Sequence, residues 1–105
     1  MAILHISENE FEKQVLESEK PVLLDFFATW CGPCQMLAKE LEALDKEQEA
    51  FRIVKVDIDE NPGLTRQWEI STVPTVFMIK DGQVKDKAVG FMPKQLLKQK
   101  MENLA

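Results

Sequence analysis

The stretch VLLDFFATWCGPCQMLAKELEAL, residues 22–44, decides the fold. Its first half, Val22 to Ala28, is apolar on both faces except at Asp25, the pattern of a central strand covered on both sides. Its second half places Cys34, Leu37, Ala38, Leu41 and Leu44 at helical spacing, with Gln35, Glu42 and Lys46 on the wet side. Between them lies Trp30-Cys31-Gly32-Pro33-Cys34, which holds both cysteines of the chain. A strand thus runs through a turn into a helix, and the only two thiols sit at the junction.

Working outward, Ala2-Ile3-Leu4 and Ile6 predict a first strand. Ser7 to Glu10 has capping-box spacing and opens a helix to about Ser18, with Phe11 and Val15 inward. Phe51 to Ile58 alternate as a strand. Asn61-Pro62 reads as a cap followed by proline at the first helical position, opening a short helix to Trp68. Val76 to Lys80 and Val84 to Val89 flank Asp81-Gly82, a strong hairpin signal. Pro93 to Leu104 carries Leu97, Met101 and Leu104 on one side and closes the chain as a helix. Strands alternating with helices, then a hairpin and a helix, predict an α/β fold with a mixed central sheet. We expect one domain over residues 1–105.

The chain has 105 residues, 45% hydrophobic and 30% charged, with a net charge of −5. A chain of this length buries roughly 65% of its unfolded surface, so folding does not require disulfide staples. The acidic balance argues against nucleic acid or an anionic membrane as main partner. No apolar run reaches the length of a membrane span. The N-terminal MAILHISENEFEK has no basic segment followed by a long apolar one, so the expectation is a cytoplasmic protein without a signal peptide. In a reducing compartment a close cysteine pair points to redox cycling or metal rather than a permanent staple.

Cys31 and Cys34, one helical turn apart, bring their Cα atoms to about 5–6 Å, within disulfide reach. Gly32 tolerates the turn, and Pro33 suits a first helical turn because it has no N–H to leave unpaired. The helix N-terminus favours a thiolate at Cys31. Lowering a thiol pKa from about 8.5 to about 7 raises the thiolate fraction at pH 7 roughly fifteen-fold. The accompanying loss of nucleophilicity is about five-fold. Acidity alone therefore gains little, and access and the second thiol matter more. A four-residue loop gains little as a structural disulfide. Two cysteines and the distant His5 do not make a four-ligand zinc site within one chain, so no metal is expected, and His5 reads as packing or surface.

With Asp25 upstream of WCGPC, Val73-Pro74-Thr75 downstream, the Lys80-Asp81-Gly82 turn and Val89-Gly90, essentially the whole chain resembles the thioredoxin family. The resemblance implies the thioredoxin fold, about five strands flanked by about four helices, and a general protein thiol–disulfide oxidoreductase. It implies Cys31 as nucleophile, Cys34 as resolving thiol and Asp25 as a buried group moving the proton of Cys34, with Lys55 tuning Asp25 electrostatically. It also implies a docking surface of Trp30, Val73, Pro74 (as a cis-proline), Thr75, Val89 and Gly90. Read from the residues alone, Asp25 is either a buried central-strand carboxylate whose pKa should rise or a strand-end carboxylate reaching solvent, and Lys55 either a partner or a solvated cation. Trp30 could equally be core, and Pro74 a simple bend. The resemblance further implies no bound cofactor, reducing equivalents from NADPH through a thioredoxin reductase, and a monomer. Implied clients are ribonucleotide reductase, peroxiredoxins and methionine sulfoxide reductases. Three positions depart from the family pattern: Phe27 for a second tryptophan, Lys39 for a helix-kinking proline, and Gln35 for a lysine or arginine. The rival readings are a disulfide-forming oxidase or isomerase, a non-catalytic binding module, and zinc shared between two chains.

Overall fold

The structure, a computed structural model, describes residues 2–104. Five strands, β1 (Leu4–His5), β2 (Val22–Phe27), β3 (Arg52–Asp57), β4 (Thr75–Lys80) and β5 (Gln83–Val89), form one sheet in the order β1-β3-β2-β4-β5. β3 runs parallel to both β1 and β2, whereas β4 is antiparallel to β2 and β5 to β4. β2 is central, as its two apolar faces demand. A first helical segment spans Glu8–Glu10 and Glu12–Leu16; α1 (Gly32–Glu47), α2 (Pro62–Gln67) and α3 (Lys94–Glu102) follow.

Alternation along the strands divides the core into two layers. Leu24, Phe26, Val54, Val56, Phe77 and Ile79 face the first helical segment and α2 through Phe11, Val15 and Leu64. Leu23, Ile53, Val76 and Met78 face α1 and α3 through Leu37, Leu41, Leu44, Leu97 and Met101. The apolar stripe of α1 is thus buried on the same sheet face that carries Asp25, two residues beyond Leu23.

Three local expectations change. The first strand is shorter than Ala2–Ile6: only Leu4 and His5 pair with β3, after one further bond from Ile6 N–H to Lys55 O the chain turns Ile6 into the core. The first helix is not α-helical. It starts as a 3₁₀ turn, with Glu10 N–H bonding Ser7 O, and ends as a π-helical turn, with Glu17 N–H bonding Glu12 O. Tertiary contacts hold both ends, Glu8 against α2 and Leu16 against the Gly82 turn, and a wide turn fits the residues lying between these anchors. Finally, Asn61 does not cap α2 with its side chain. Its Oδ1 accepts the Glu8 N–H at 3.0 Å and its Nδ2 donates to Asp57 O at 2.9 Å. The open Leu64 N–H of α2 goes instead to Glu8 Oε1 at 2.9 Å, an anionic acceptor at a helix N-terminus.

The Asp81-Gly82 hairpin forms as predicted. Both residues have positive φ, 53° and 73°, the type I′ geometry that matches strand twist.

Candidate active site

β2 ends at Phe27, and the chain turns once before α1 begins, with Cys31 N–H bonding Ala28 O at 3.3 Å. Cys31 is the N-cap of α1, and its own sulfur does the capping: Cys34 N–H donates to Cys31 Sγ at 3.2 Å. The N-cap position is where a side-chain acceptor meets the unpaired amides of a first turn. Pro33, in that turn, has no amide to satisfy. Cys31 and Cys34 are joined as a disulfide with Cα atoms 5.2 Å apart. Both are nearly buried, packed with Ala28 against Phe27, Ile58 and Val73.

Two loops complete the surroundings. Val73–Pro74 is a cis peptide, and Val73 O lies 3.7 Å from Cys31 Sγ. Gly90 N–H, just past β5, donates to Pro74 O at 2.8 Å, so the end of β5 is fastened to the proline loop. Pro74 and Thr75 are buried, and the Thr75 hydroxyl donates to Thr72 O. Val89, by contrast, is exposed. Trp30 is 68% exposed, which removes it from the core, and its indole N–H donates to Asp59 Oδ2 at 2.8 Å.

Asp25 is fully buried, not at a solvent-reaching strand end, and neither carboxyl oxygen meets a protein donor. Burial pushes its carboxyl up from 3.8 to about 7, against a downward pull from the Lys55 charge. An ionised group in an apolar interior forfeits its hydration, so the neutral acid is favoured. Lys55, its register neighbour on β3, is only 8% exposed and is not a solvated surface cation. Its Nζ sits 4.4 Å from the centroid of the Phe27 ring. The tryptophan departure at Phe27 thus supplies the aromatic face under that ammonium.

At the other two departures, α1 runs unbroken through Lys39, and Gln35 Nε2 donates to Thr29 O at 3.1 Å, clasping the loop before Trp30. Sequence reasoning missed Asp59. An exposed aspartate far along the chain from Trp30 leaves no local signal, although Asp57 and Asn61 on either side mark a turn. Among the described residues no three His, Cys, Asp or Glu side chains cluster as a metal site, and no helix is long and apolar enough to cross a membrane. His5 meets Phe27 edge to face, with ring centroids 6.0 Å apart.

Residues 2–103 match the thioredoxin family model. The chain is 44% identical over 98 residues to a thioredoxin of Staphylococcus aureus, covering 92% of each protein. It is 40% identical over 102 residues to thioredoxin 1 of a Nostoc species, covering 96% of this chain and 95% of that one. It is also 40% identical over 97 residues to a thioredoxin of Chlorobaculum thiosulfatiphilum, covering 91% and 90%. With its cysteine pair closed at the head of α1 and this likeness along nearly its whole length, the chain belongs to the thioredoxin family of protein thiol–disulfide oxidoreductases.

Proposed function

We propose that Cys31 is the attacking thiol, Cys34 the resolving thiol and Asp25 the group that moves the proton of Cys34. The observation that carries this reading is the Cys34 N–H pointing at Cys31 Sγ. A donor so placed stabilises negative charge on the outer sulfur and leaves the inner one without that help. In the reduced protein the Cys31 thiolate attacks a client disulfide, forms a mixed disulfide and expels a client thiolate. Asp25 carboxylate takes the Cys34 proton, and the Cys34 thiolate attacks Cys31 sulfur. The second client sulfur leaves, picks up a proton, and the chain holds the Cys31–Cys34 disulfide. Two electrons have passed to the client. A carboxyl titrating at about 7 is matched to this task near neutral pH.

Trp30, Val73, Val89 and Gly90 form the docking surface around the buried cis-Pro74, with Val73 backbone pairing an extended client segment. Buried Thr75 supports the loop from beneath, Gly32 and Pro33 hold the turn, and Lys55 limits the rise of the Asp25 pKa. The protein works as a cytoplasmic monomer of one domain. It carries no cofactor and is returned to the dithiol by a thioredoxin reductase using NADPH. Ribonucleotide reductase, peroxiredoxins and methionine sulfoxide reductases are its proposed clients.

Catalysis of insulin disulfide reduction by dithiothreitol tests the assignment. Acceleration by the wild type that vanishes in Cys31→Ser is the expected result. Acceleration that survives Cys31→Ser would reject Cys31 as nucleophile, and none from folded, reduced wild type would favour a binding module.

A further inference from the structure

Asp25 belongs to a row of titratable side chains. Parallel register sets it beside Lys55, and the same Lys55 is set beside His5 on the edge strand β1. Burial deepens inward along the row: His5 is exposed, Lys55 8% exposed and Asp25 0%. Phe27 spans the outer two, since Lys55 Nζ lies over its ring and the His5 ring meets its edge. A cleft of about 530 Å³ opens onto His5, Phe27 and Lys55, with Glu10, Asp57 and Glu60 also on its walls. The inner neighbours of the row on this face, Leu23, Leu37, Leu41, Ile53 and Val76, carry no charge. On the solvent side the row ends at His5 on β1, with Asp57 on the same face two residues along β3 from Lys55.

We propose that His5 is a positioning residue for the proton on Asp25, acting through Lys55. The inference rests on the reading that Asp25 takes the proton of Cys34. In that cycle the Asp25 carboxylate becomes a carboxyl and must release the same proton before the next turn. A cation at position 5, together with the Lys55 ammonium, favours the carboxylate; a neutral side chain there favours the carboxyl. A histidine side chain can present either of these forms.

The size of the coupling follows from distance. Two strand spacings of about 4.8 Å put position 5 roughly 10 Å from Asp25. A unit charge there moves the Asp25 titration by about 0.3 pH unit with water-like screening and by about 1 with the weaker screening typical of a protein surface.

The experiment compares wild type with His5→Gln (uncharged) and His5→Lys (always charged). The Asp25 carboxyl-carbon shift is followed against pH in the full-length oxidised protein, and decay of a Cys31 mixed disulfide is timed over the same range. Asp25 should titrate about 0.3–1 pH unit lower in His5→Lys than in His5→Gln, with the decay profile moving in step. Glu10, Asp57 and Glu60 are common to all three proteins, so their charges cancel in the comparison. Titrations agreeing within about 0.1 pH unit, below the smallest coupling worked above, would overturn the inference. Asp25→Asn separates the two levels. If it leaves the decay profile unchanged, the role assigned to Asp25 fails. If it changes the profile while the two His5 variants match each other, only the inference about His5 fails.

Discussion

Replacing Asp25 by Asn should stabilise the protein, and by an amount that depends on pH. The side chain keeps its shape and polarity but can no longer ionise. In the wild type the carboxyl titrates at about 7 folded and at the ordinary 3.8 unfolded, because burial outweighs the pull of Lys55. The folded value lies above the unfolded one, so between them the folded protein holds a proton the unfolded chain has lost. The contribution of Asp25 to wild-type stability is therefore fully present below about pH 4, falls as pH rises, and is gone above about pH 7. At about 1.36 kcal/mol per pH unit, that interval corresponds to about 4 kcal/mol, a large part of the 5–15 kcal/mol typical of a domain. Guanidinium unfolding of the oxidised proteins from pH 3.5 to 9 measures it, with m-values compared to confirm the same transition. The two curves should meet at the acid end and separate to about 4 kcal/mol, the variant above, by pH 8.5. Parallel curves at every pH would refute the reasoning, since they would mean that Asp25 titrates alike in both states.

Three further outcomes are expected. Gln35→Lys adds a cation one turn from Cys31 and should raise the alkylation rate of reduced Cys31 at pH 6 by roughly two-fold; equal rates would show that this position does not reach the sulfur. Asp59→Ala frees the Trp30 indole and should raise KM for a protein client roughly two- to ten-fold, the worth of one hydrogen bond, with kcat nearly unchanged. A fall in kcat alone would place Trp30 in the chemistry rather than in docking. Gly82→Ala should cost about 1–3 kcal/mol, read as a lower Tm, because Gly82 has φ +73° and a Cβ there would meet Leu16 O at 2.8 Å.

What was legible in the sequence is what local patterning encodes. The α1 stripe, the doubly apolar β2 and the Asp81-Gly82 turn each follow from residues a few positions apart, and each stands where expected. The cis form of Pro74 and the exposed position of Trp30 came only with the family resemblance, since the residues themselves allow a bend and a core position. Long-range partners were illegible. Glu8 takes over the capping of α2 from 56 positions away, and Asn61 turns to serve Glu8 across 53. Asp59 finds Trp30 across 29. The row from His5 to Asp25 depends on the register of three strands, which alternation constrains by parity but does not fix.

The sulfur that caps α1 gives the protein an internal gauge of its own oxidation state. As half of a disulfide, Cys31 Sγ is a weak acceptor; as a thiolate it is an anion, and charge-assisted hydrogen bonds are roughly twice as strong as neutral ones. With the role proposed for Cys31, the first turn of α1 should therefore tighten on reduction and relax each time Cys31 is tied up in a bond to a client. Solvent exchange of one backbone hydrogen, that of Cys34, would register each stage of turnover without any label at the sulfur.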